Sequence, residues 1–398
     1  MIQREIYQLF SGDTQIEICL DKGKISTEDK VCQVNEIELE LKSGNVSILY
    51  NLAINFIEKL NLSIELESKA ERGYLLLDNN LRKYFYNISK DLDGLSDPDL
   101  FITISVNVLI KQFSTQIKNL SDGYRAQDIH QARVLLRRLR VIFSALKNIS
   151  NNSEFDILRD DARHIATLLG NVREYDVLEE LVNATPREFI NNEQDFDELI
   201  SNIKTKKELS LENAKKIISE GAAAIFIIKV EKLINKSRYL NLMNDEMYND
   251  VSLTIKKISS IILDKVDSRV RKRGEKLKQL HDIDRHQLRI DLKKLRYLSD
   301  FFGPLYDKKI LKEYIKHVSE LQEYLGAHND IVNAELFLRQ VSNSLPSSTQ
   351  FTAGKILGWH ICINMDSKKK LFKSWKRFAL IAPFWMTEDK KYVLKNDE

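Results

Sequence analysis

Hydrophobic and polar residues follow two different periods along this chain, and the change of period divides it into two parts. Residues 15–20 and 36–42 alternate between polar and apolar positions, which predicts two β-strands, and residues 21–24 carry a turn signal between them. Apolar residues in 46–60 recur at helical spacing. We therefore predict a small α+β segment over residues 1–78, made of a partial antiparallel sheet and a helix.

From about residue 99 onward the apolar residues recur every three or four positions, which predicts long amphipathic helices. The whole chain has only 13 glycines and 5 prolines, as expected of long helices joined by short connections. The fold class is therefore predicted to be mainly α. We predict a linker over residues 79–98, a helical domain over residues 99–385 and a C-terminal tail over residues 386–398.

One motif occurs twice in the helical part. Residues 130–140 and residues 286–296 both fit H-Q-x-R-(V/I)-x-L-(R/K)-(R/K)-L-R, and the copies are 156 residues apart. A glycine lies 40 residues after each histidine, and we expect Gly170 and Gly326 to end helices. Two matches at one offset indicate an internal duplication that forms a pair of helical bundles. The two halves are predicted at about residues 99–220 and 221–385.

Each copy of the motif, placed on a helix, has an apolar side and a basic side. The basic side of the first copy spans an arc of about 80° and consists of His130, Arg133, Arg137 and Arg140. The basic side of the second copy consists of His286, Arg289, Lys293 and Arg296. Like charges at this spacing repel each other on an isolated helix, so something outside the helix must compensate them.

Two kinds of partner could compensate these basic sides: acidic residues of another helix, or a polyanion. Arginine suits phosphate, because its planar guanidinium donates hydrogen bonds in pairs, whereas lysine acts as a point charge. A histidine beside several arginines should resist protonation until phosphate arrives. A single basic helix face is most often just solvated, but the retention of every basic position in both copies argues against that interpretation here.

The motif pair, together with the segments at 170–178 and 321–330, resembles the CHAD domain, the conserved histidine α-helical domain. The run from Trp375 to Trp385 is similar to the last helix of that family, and the resemblance covers roughly residues 95–385. It implies two pseudo-symmetric helical bundles with a basic channel between them. The implied ligand is inorganic polyphosphate, which needs no cofactor for binding.

The resemblance also implies which residues bind polyphosphate. They are His130, Arg133, Arg137, Arg138, Arg140, Arg173, His286, Arg289, Lys293, Lys294 and Arg296. The second half has Asn329 where the first has Arg173, so the two halves are not expected to bind equally.

The first part of the chain contains a second candidate site. The alternation in residues 36–42 puts Glu36, Glu38 and Glu40 on one strand face, where their carboxylates could hold a divalent cation. The ordinary alternative is a solvated face of an antiparallel sheet, and the residues alone favour it.

Residues 36–44 and 67–74 resemble the second half of a CYTH domain, the triphosphate tunnel fold. That family implies metal-binding carboxylates at Glu36, Glu38 and Glu40, and phosphate binding by Lys69 and Arg72. Its opening Glu-x-Glu-x-Lys strand is missing, and residues 1–78 cannot form all of the roughly eight strands of a closed tunnel. We therefore expect a truncated half without hydrolytic activity, with Mg²⁺ required only if that half is active.

Composition narrows the class of protein further. The net charge is only +3, so a site for a polyanion must come from local segregation of charge. The three cysteines are scattered and odd in number, which favours a reducing compartment. No apolar run reaches the length of a bilayer-spanning helix. We expect a cytoplasmic protein without a membrane partner; association with polyphosphate granules is an expectation that the resemblance carries.

Three functions are compatible with these observations. The first is binding of inorganic polyphosphate between the two basic helices, with salt-sensitive affinity. The second is an inorganic triphosphatase or polyphosphate hydrolase that uses Mg²⁺ at the N-terminal glutamates. The third is nucleic-acid binding, which the sequence disfavours, because the motif helices offer only Tyr297 for base stacking. Because neither basic motif contains a carboxylate cluster, binding without catalysis is the preferred hypothesis.

Overall fold

The computed structural model of the chain describes residues 2–78, 81, 97–123, 125–150, 152–190, 192–236, 254–363 and 367–386. The predicted linker at residues 79–98 and the predicted tail at residues 386–398 lie almost entirely outside these residues. The described part contains three β-strands and twelve α-helices, and the strands lie only at the N-terminus. The predicted fold class, mainly α with a small α+β segment, is confirmed.

The N-terminal sheet is an antiparallel meander in the order β1–β2–β3. Its strands are β1 (Ile2–Ser11), β2 (Thr14–Ser26) and β3 (Val31–Ser43). The strand predicted at 36–42 is confirmed, but the turn predicted at 21–24 is wrong. Strand β2 runs straight through that segment, because Asp21 pairs with Arg4 on one side and with Glu36 on the other.

Two short helices follow the sheet: α1 (Val46–Leu60) and α2 (Lys69–Leu77). Ser68 and Glu71 form a capping box at the start of α2, in which each side chain accepts a hydrogen bond from the other residue's backbone N–H. Helix α1 packs between β3 and the helical domain, where Ile57 meets Ala224 and Ile228. The α+β segment is therefore docked on the helical part of the chain.

The helical domain repeats one arrangement. Its first set is α3 (Pro98–Asp122), α4 (Ala126–Lys147), α5 (Glu154–Asn183), α6 (Glu193–Ser219) and α7 (Ala222–Ile234). Its second set is α8 (Ile255–Gly274), α9 (Asp282–Phe302), α10 (Lys308–Ser342), α11 (Ser347–Ile363) and α12 (Ser367–Ala379). The motif helices α4 and α9 begin 156 residues apart, so the duplication seen in the motifs extends to the helices around them.

Helix α7 lies on the other side of the predicted boundary between the halves. Residue 221 was expected to open the second half, yet α7 packs against α3, α5 and α6 of the first set. Phe226 packs edge-on against Phe113, with ring centroids 6.0 Å apart, and Lys229 pairs with Asp161 at 2.8 Å. The all-round apolar surface of α7 is what allows it to complete the first bundle.

Neither motif-associated glycine ends a helix. Helix α5 continues from Gly170 to Asn183, and α10 continues from Gly326 to Ser342. A mid-helix glycine costs only about 1 kcal/mol relative to alanine, which tertiary packing readily offsets. At Gly170 an added Cβ would lie 2.4 Å from Nη1 of Arg133, so a side chain here would force the guanidinium to move.

The apolar sides of the motif helices form part of one continuous core, as predicted. The leucines that the motif places on this side, among them Leu136, Leu139, Leu292 and Leu295, are completely buried. Among the described helices only α3 is long and apolar enough to span a membrane by length and composition. In this structure Phe101, Val106 and Ile110 of α3 are fully buried in the protein core, which accounts for its composition.

We predict that Gly274→Ala destabilises the second bundle. An added Cβ at Gly274 would lie 1.8 Å from a ring carbon of Trp375 in α12, so the tryptophan and its helix would have to move. Overpacking of this kind costs about 1–3 kcal/mol, which thermal or chemical denaturation would detect. The matched control is Gly354→Ala, where no atom lies within 4 Å of the added Cβ; equal loss of stability in both variants would contradict the prediction.

Candidate polyanion site on the motif helices

The two motif helices contact each other directly. Nη2 of Arg138 in α4 lies 3.5 Å from Oδ2 of Asp300 in α9, and its guanidinium lies 5.9 Å from the ring centroid of Tyr297. Burial raises the pKa of Asp300, and the nearby charges of Arg138 and Arg296 oppose that shift. This contact places the two motif helices next to each other.

Arg133 is the most constrained arginine of the first copy. Its Nη1 donates a hydrogen bond to the backbone carbonyl of Ala166 at 2.9 Å, across the surface left open by Gly170. Its Nη2 lies 3.9 Å from Oε1 of Glu174. Burial and the neighbouring Arg137 lower the pKa of Arg133 to about 10. Arg133 is therefore a buried cation whose charge is only partly compensated.

Arg137 and Arg140 extend the basic side toward the C-terminus of α4. Among the described residues, neither has a carboxylate within salt-bridge distance. Nε of Arg137 makes a long 3.4 Å hydrogen bond to the carbonyl of Arg133. Burial, followed by the charges of Arg163 and Arg159 in α5, lowers the pKa of Arg140. The sequence analysis missed these two α5 arginines, whose proximity depends on how α5 packs on α4.

His130 and Arg173 lie at the other end of the same basic side. Burial lowers the pKa of His130, and the charges of Arg173, Arg137 and Arg133 lower it further. Arg173 is therefore close enough to His130 for its charge to lower the pKa of the imidazole, although its Nη1 also lies 3.1 Å from Oε1 of Glu180. The charges of these three arginines add to burial in disfavouring the protonated form of the imidazole.

The second copy is bound more tightly to its own bundle. Nη1 of Arg296 donates to Oε1 of Gln322 at 3.0 Å, and the amide of Gln322 donates to the carbonyl of Leu292 at 2.7 Å. His286 is exposed, and Arg289 and Lys293 are half-buried. The side chain of Asn329, the predicted counterpart of Arg173, lies outside the part of the chain that the structure describes.

Two of the predicted binding residues point away from the basic sides. Arg138 contacts Asp300, and its counterpart Lys294 lies 3.8 Å from the buried Asp291. Asp291 also pairs with Arg273 of α8. Both positions are turned by about 100° from Arg137 and Lys293 along the helix. Arg138 therefore joins α4 to α9, whereas Lys294 forms an ion pair within α9.

The N-terminal sheet assembles a separate charged cluster. Asp21, Glu36 and Glu38 bring carboxylate oxygens within 4.8 Å of one another. Glu40, predicted as the third acidic residue, instead pairs with Lys42 at 2.9 Å. The register explains the exchange, because Asp21 lies opposite Glu36, whereas Glu40 lies further along the sheet opposite Glu17.

Basic side chains of β1 and α2 form ion pairs with this cluster. Nε and Nη2 of Arg4 donate hydrogen bonds to the Asp21 carboxylate at 2.7 and 2.5 Å, and Nη2 of Arg72 lies 2.6 Å from Glu36. Nζ of Lys69 lies 2.6 Å from Asp21 and also pairs with Glu36 and Glu38. The carboxylates are of the type that binds Mg²⁺, but with Lys69 among them the arrangement does not fit a metal ion.

Comparison with known proteins agrees with this architecture. The CHAD domain family matches residues 107–339, more than half of the chain. The solved CHAD domain from the plant Ricinus communis covers 71% of this chain and 93% of its own, with a TM-score of 0.59 and 20% identity. PptA from Streptomyces chartreusis covers 71% of this chain and all of its own, with a TM-score of 0.54 and 12% identity.

A curated relative, the inorganic triphosphatase of Haemophilus influenzae, is 40% identical over 63 residues, which are 16% of this chain and 18% of that protein. The match thus spans less than a fifth of the relative's length. The family match, in contrast, includes both copies of the motif and all of α4, α5 and α9. With its duplicated helical bundles and paired basic motifs, this chain belongs to the CHAD domain family.

Proposed function

We propose that the helical domain binds inorganic polyphosphate along the basic sides of α4 and α9. The observation that carries this proposal is that the half-buried Arg137 and Arg140 have no carboxylate within salt-bridge distance in the described part of the chain. The more distant Asp160 offsets the charge of Arg140 only in part, because burial and the neighbouring arginines still lower its pKa. Arginines that are half-buried without a protein anion favour an external one.

The arrangement of the positive charge favours a linear polyanion. Helices α4 and α9 contact each other through Arg138 and Asp300, and each is about 30 Å long by its helical rise. A chain with about one charge per phosphate could follow both helices and release counterions along its length. The partial match to the inorganic triphosphatase of Haemophilus influenzae supports a phosphate polymer as the partner.

The same geometry disfavours nucleic acid. Tyr297, the aromatic residue that the sequence places nearest the basic side, is buried and covered by the guanidinium of Arg138. It therefore offers no surface on which a base could stack. Binding requires no metal in this proposal, and localisation to polyphosphate granules would follow from binding rather than from a separate signal.

The N-terminal segment does not hydrolyse phosphate anhydrides in this proposal. Hydrolysis of this type needs carboxylates that place a metal ion and a water molecule. Here Asp21, Glu36 and Glu38 are each paired with basic side chains. The segment instead packs α1 against α7, so it contributes to the structure of the binding protein.

We predict that Arg137→Ala/Arg140→Ala weakens binding of long-chain polyphosphate by at least about 100-fold at 0.15 M salt, from about 1.5–3 kcal/mol for each charged contact. The slope of log affinity against log salt should fall by about one to two. Fluorescence or calorimetric titration at several salt concentrations measures both quantities. Because neither arginine has a carboxylate partner, the free energy of unfolding should change by less than about 1 kcal/mol.

The control for this titration is Lys272→Ala/Lys276→Ala, which removes the exposed charge of Lys272 in α8 and that of Lys276 just after this helix. Its affinity should stay within about twofold of the original. Equal weakening by the control would show that binding depends on net charge and not on the motif helices. Displacement of polyphosphate by an equal charge of duplex or single-stranded nucleic acid would favour the nucleic-acid alternative.

We predict that affinity for polyphosphate rises as the pH falls from 8 to 6. The pKa of His130 lies below its ordinary value in the free protein, and a bound polyanion would raise it, so binding takes up a proton. His130→Gln should flatten this pH dependence while the affinity at pH 8 changes little. A slope identical to that of the unmodified chain would contradict the role given to His130.

We predict that the purified chain does not release phosphate from tripolyphosphate with Mg²⁺ above the uncatalysed rate. A colorimetric phosphate assay over several hours is sufficient to measure this. Magnesium-dependent release that disappears in Glu36→Gln/Glu38→Gln would instead establish the hydrolase alternative. Release that survives this double substitution would point to a contaminating enzyme.

A further inference from the structure

The charged cluster of the N-terminal sheet is electrically neutral. Its three carboxylates belong to Asp21, Glu36 and Glu38, and its three cations belong to Arg4, Lys69 and Arg72. The side chain of Asp21 is fully buried and that of Arg72 is 8% exposed, whereas that of Glu38 is 45% exposed. The cluster therefore runs from the protein interior to solvent with its charges matched one to one.

Lys69 occupies the centre of this cluster. Its ammonium has three N–H donors, and it pairs with one carboxylate on β2 and two on β3. Arg4 pairs with Asp21 and Glu38, and Arg72 pairs with Glu36 alone. Among the described residues, only Lys69 contacts all three of the carboxylates whose oxygens converge within 4.8 Å.

We propose that the Lys69 ammonium is the resident cation of the Asp21–Glu36–Glu38 cluster and closes it to divalent metal ions, so that a metal site exists only when this charge is removed. Lysine acts here as a compact point charge at the place where Mg²⁺ or Mn²⁺ would otherwise be coordinated. The inference does not depend on polyphosphate binding by α4 and α9, which are separate from the sheet.

Electrostatics explains why the ammonium excludes a metal ion. A divalent ion entering beside Lys69 would give a neutral, largely buried cluster a charge of +2, which is costly in a medium of low dielectric constant. Expelling Lys69 would break its ion pairs with all three carboxylates at once. Desolvation opposes the charge of Lys69, but hydrogen bonds to Asp21, Glu36 and Glu38 raise its pKa above the ordinary value, so deprotonation does not open the site either.

The position of Lys69 in the chain also favours this role. Lys69 is the first residue of α2, directly after the capping residue Ser68. The capping box fixes the start of the helix, and the ion pairs of Lys69 and Arg72 then hold α2 on the sheet. The Lys69 ammonium is thus held by a helix and not by a flexible loop. A fixed position makes it harder for a competing ion to displace it.

The test is Mn²⁺ binding by the full chain, followed by electron paramagnetic resonance without phosphate present. We expect the original chain and Lys69→Arg to show no saturable site below about 1 mM. Lys69→Met keeps the apolar stem but removes the charge. It should bind one Mn²⁺ with a dissociation constant at least about tenfold below that limit of about 1 mM. This new site should disappear in Lys69→Met/Glu36→Gln.

Two further variants keep the test decisive. Lys42→Met removes a lysine that pairs with Glu17 and Glu40 on the same sheet, and it should create no site. Lys69→Gln provides a second neutral side chain if Lys69→Met does not fold. The proposal is overturned if the original chain binds Mn²⁺ below about 1 mM and Glu36→Gln abolishes that binding, or if neither folded neutral variant gains a site.

Discussion

The burial of one apolar side of each motif helix is the constraint on which the rest of this structure depends. Each helix carries like charges three and four residues apart, and each such pair costs only a few tenths of a kcal/mol on a helix surface. Each fully buried leucine on the opposite side, such as Leu136 or Leu292, contributes about 1.5–3 kcal/mol. The core can therefore hold the basic sides in place without a compensating anion from the protein.

The contact between α4 and α9 determines how the two basic sides are used. Arg138 and Lys294 are equivalent in the duplication, but Arg138 pairs with Asp300 of the other motif helix and Lys294 pairs with Asp291 of its own helix. The remaining positions are not equivalent in their surroundings. In the first half Arg137 and Arg140 have no described carboxylate partner, whereas Arg296 of the second half is held by Gln322. Because Gln322 is neutral, it fixes the position of Arg296 without compensating its charge.

In the N-terminal sheet, unlike on α4, the charged side chains compensate one another. Its acidic and basic residues meet in a cluster of equal numbers, and Arg4 and Lys69 lower the pKa of Asp21 to about 2. Such a cluster stabilises the packing of α2 on the sheet but leaves little net charge for a ligand. The chain therefore has two different charged regions. On α4, Arg137 and Arg140 have no described carboxylate partner, whereas every charged side chain of the N-terminal cluster is in an ion pair.

Several features followed from the sequence by itself, because each depends on residues close together in the chain. Periodicity identified the strand within β3, the helices α4 and α9 and the completely buried leucines, and the repeated motif identified the duplication. Local pattern is sufficient wherever an element has one side for the core and one for solvent.

Tertiary structure alone decided which distant residues meet. Gly170 looked like a helix end, but the guanidinium of Arg133 packs against it, and α5 continues. Asp21 replaced Glu40 in the acidic cluster because strand register, set by pairing of β2 with β3, determines which carboxylates converge. The proximity of Arg159 and Arg163 to Arg140 arises in the same way from helix packing. Such contacts join residues far apart in the chain, and no local pattern encodes the geometry that brings them together.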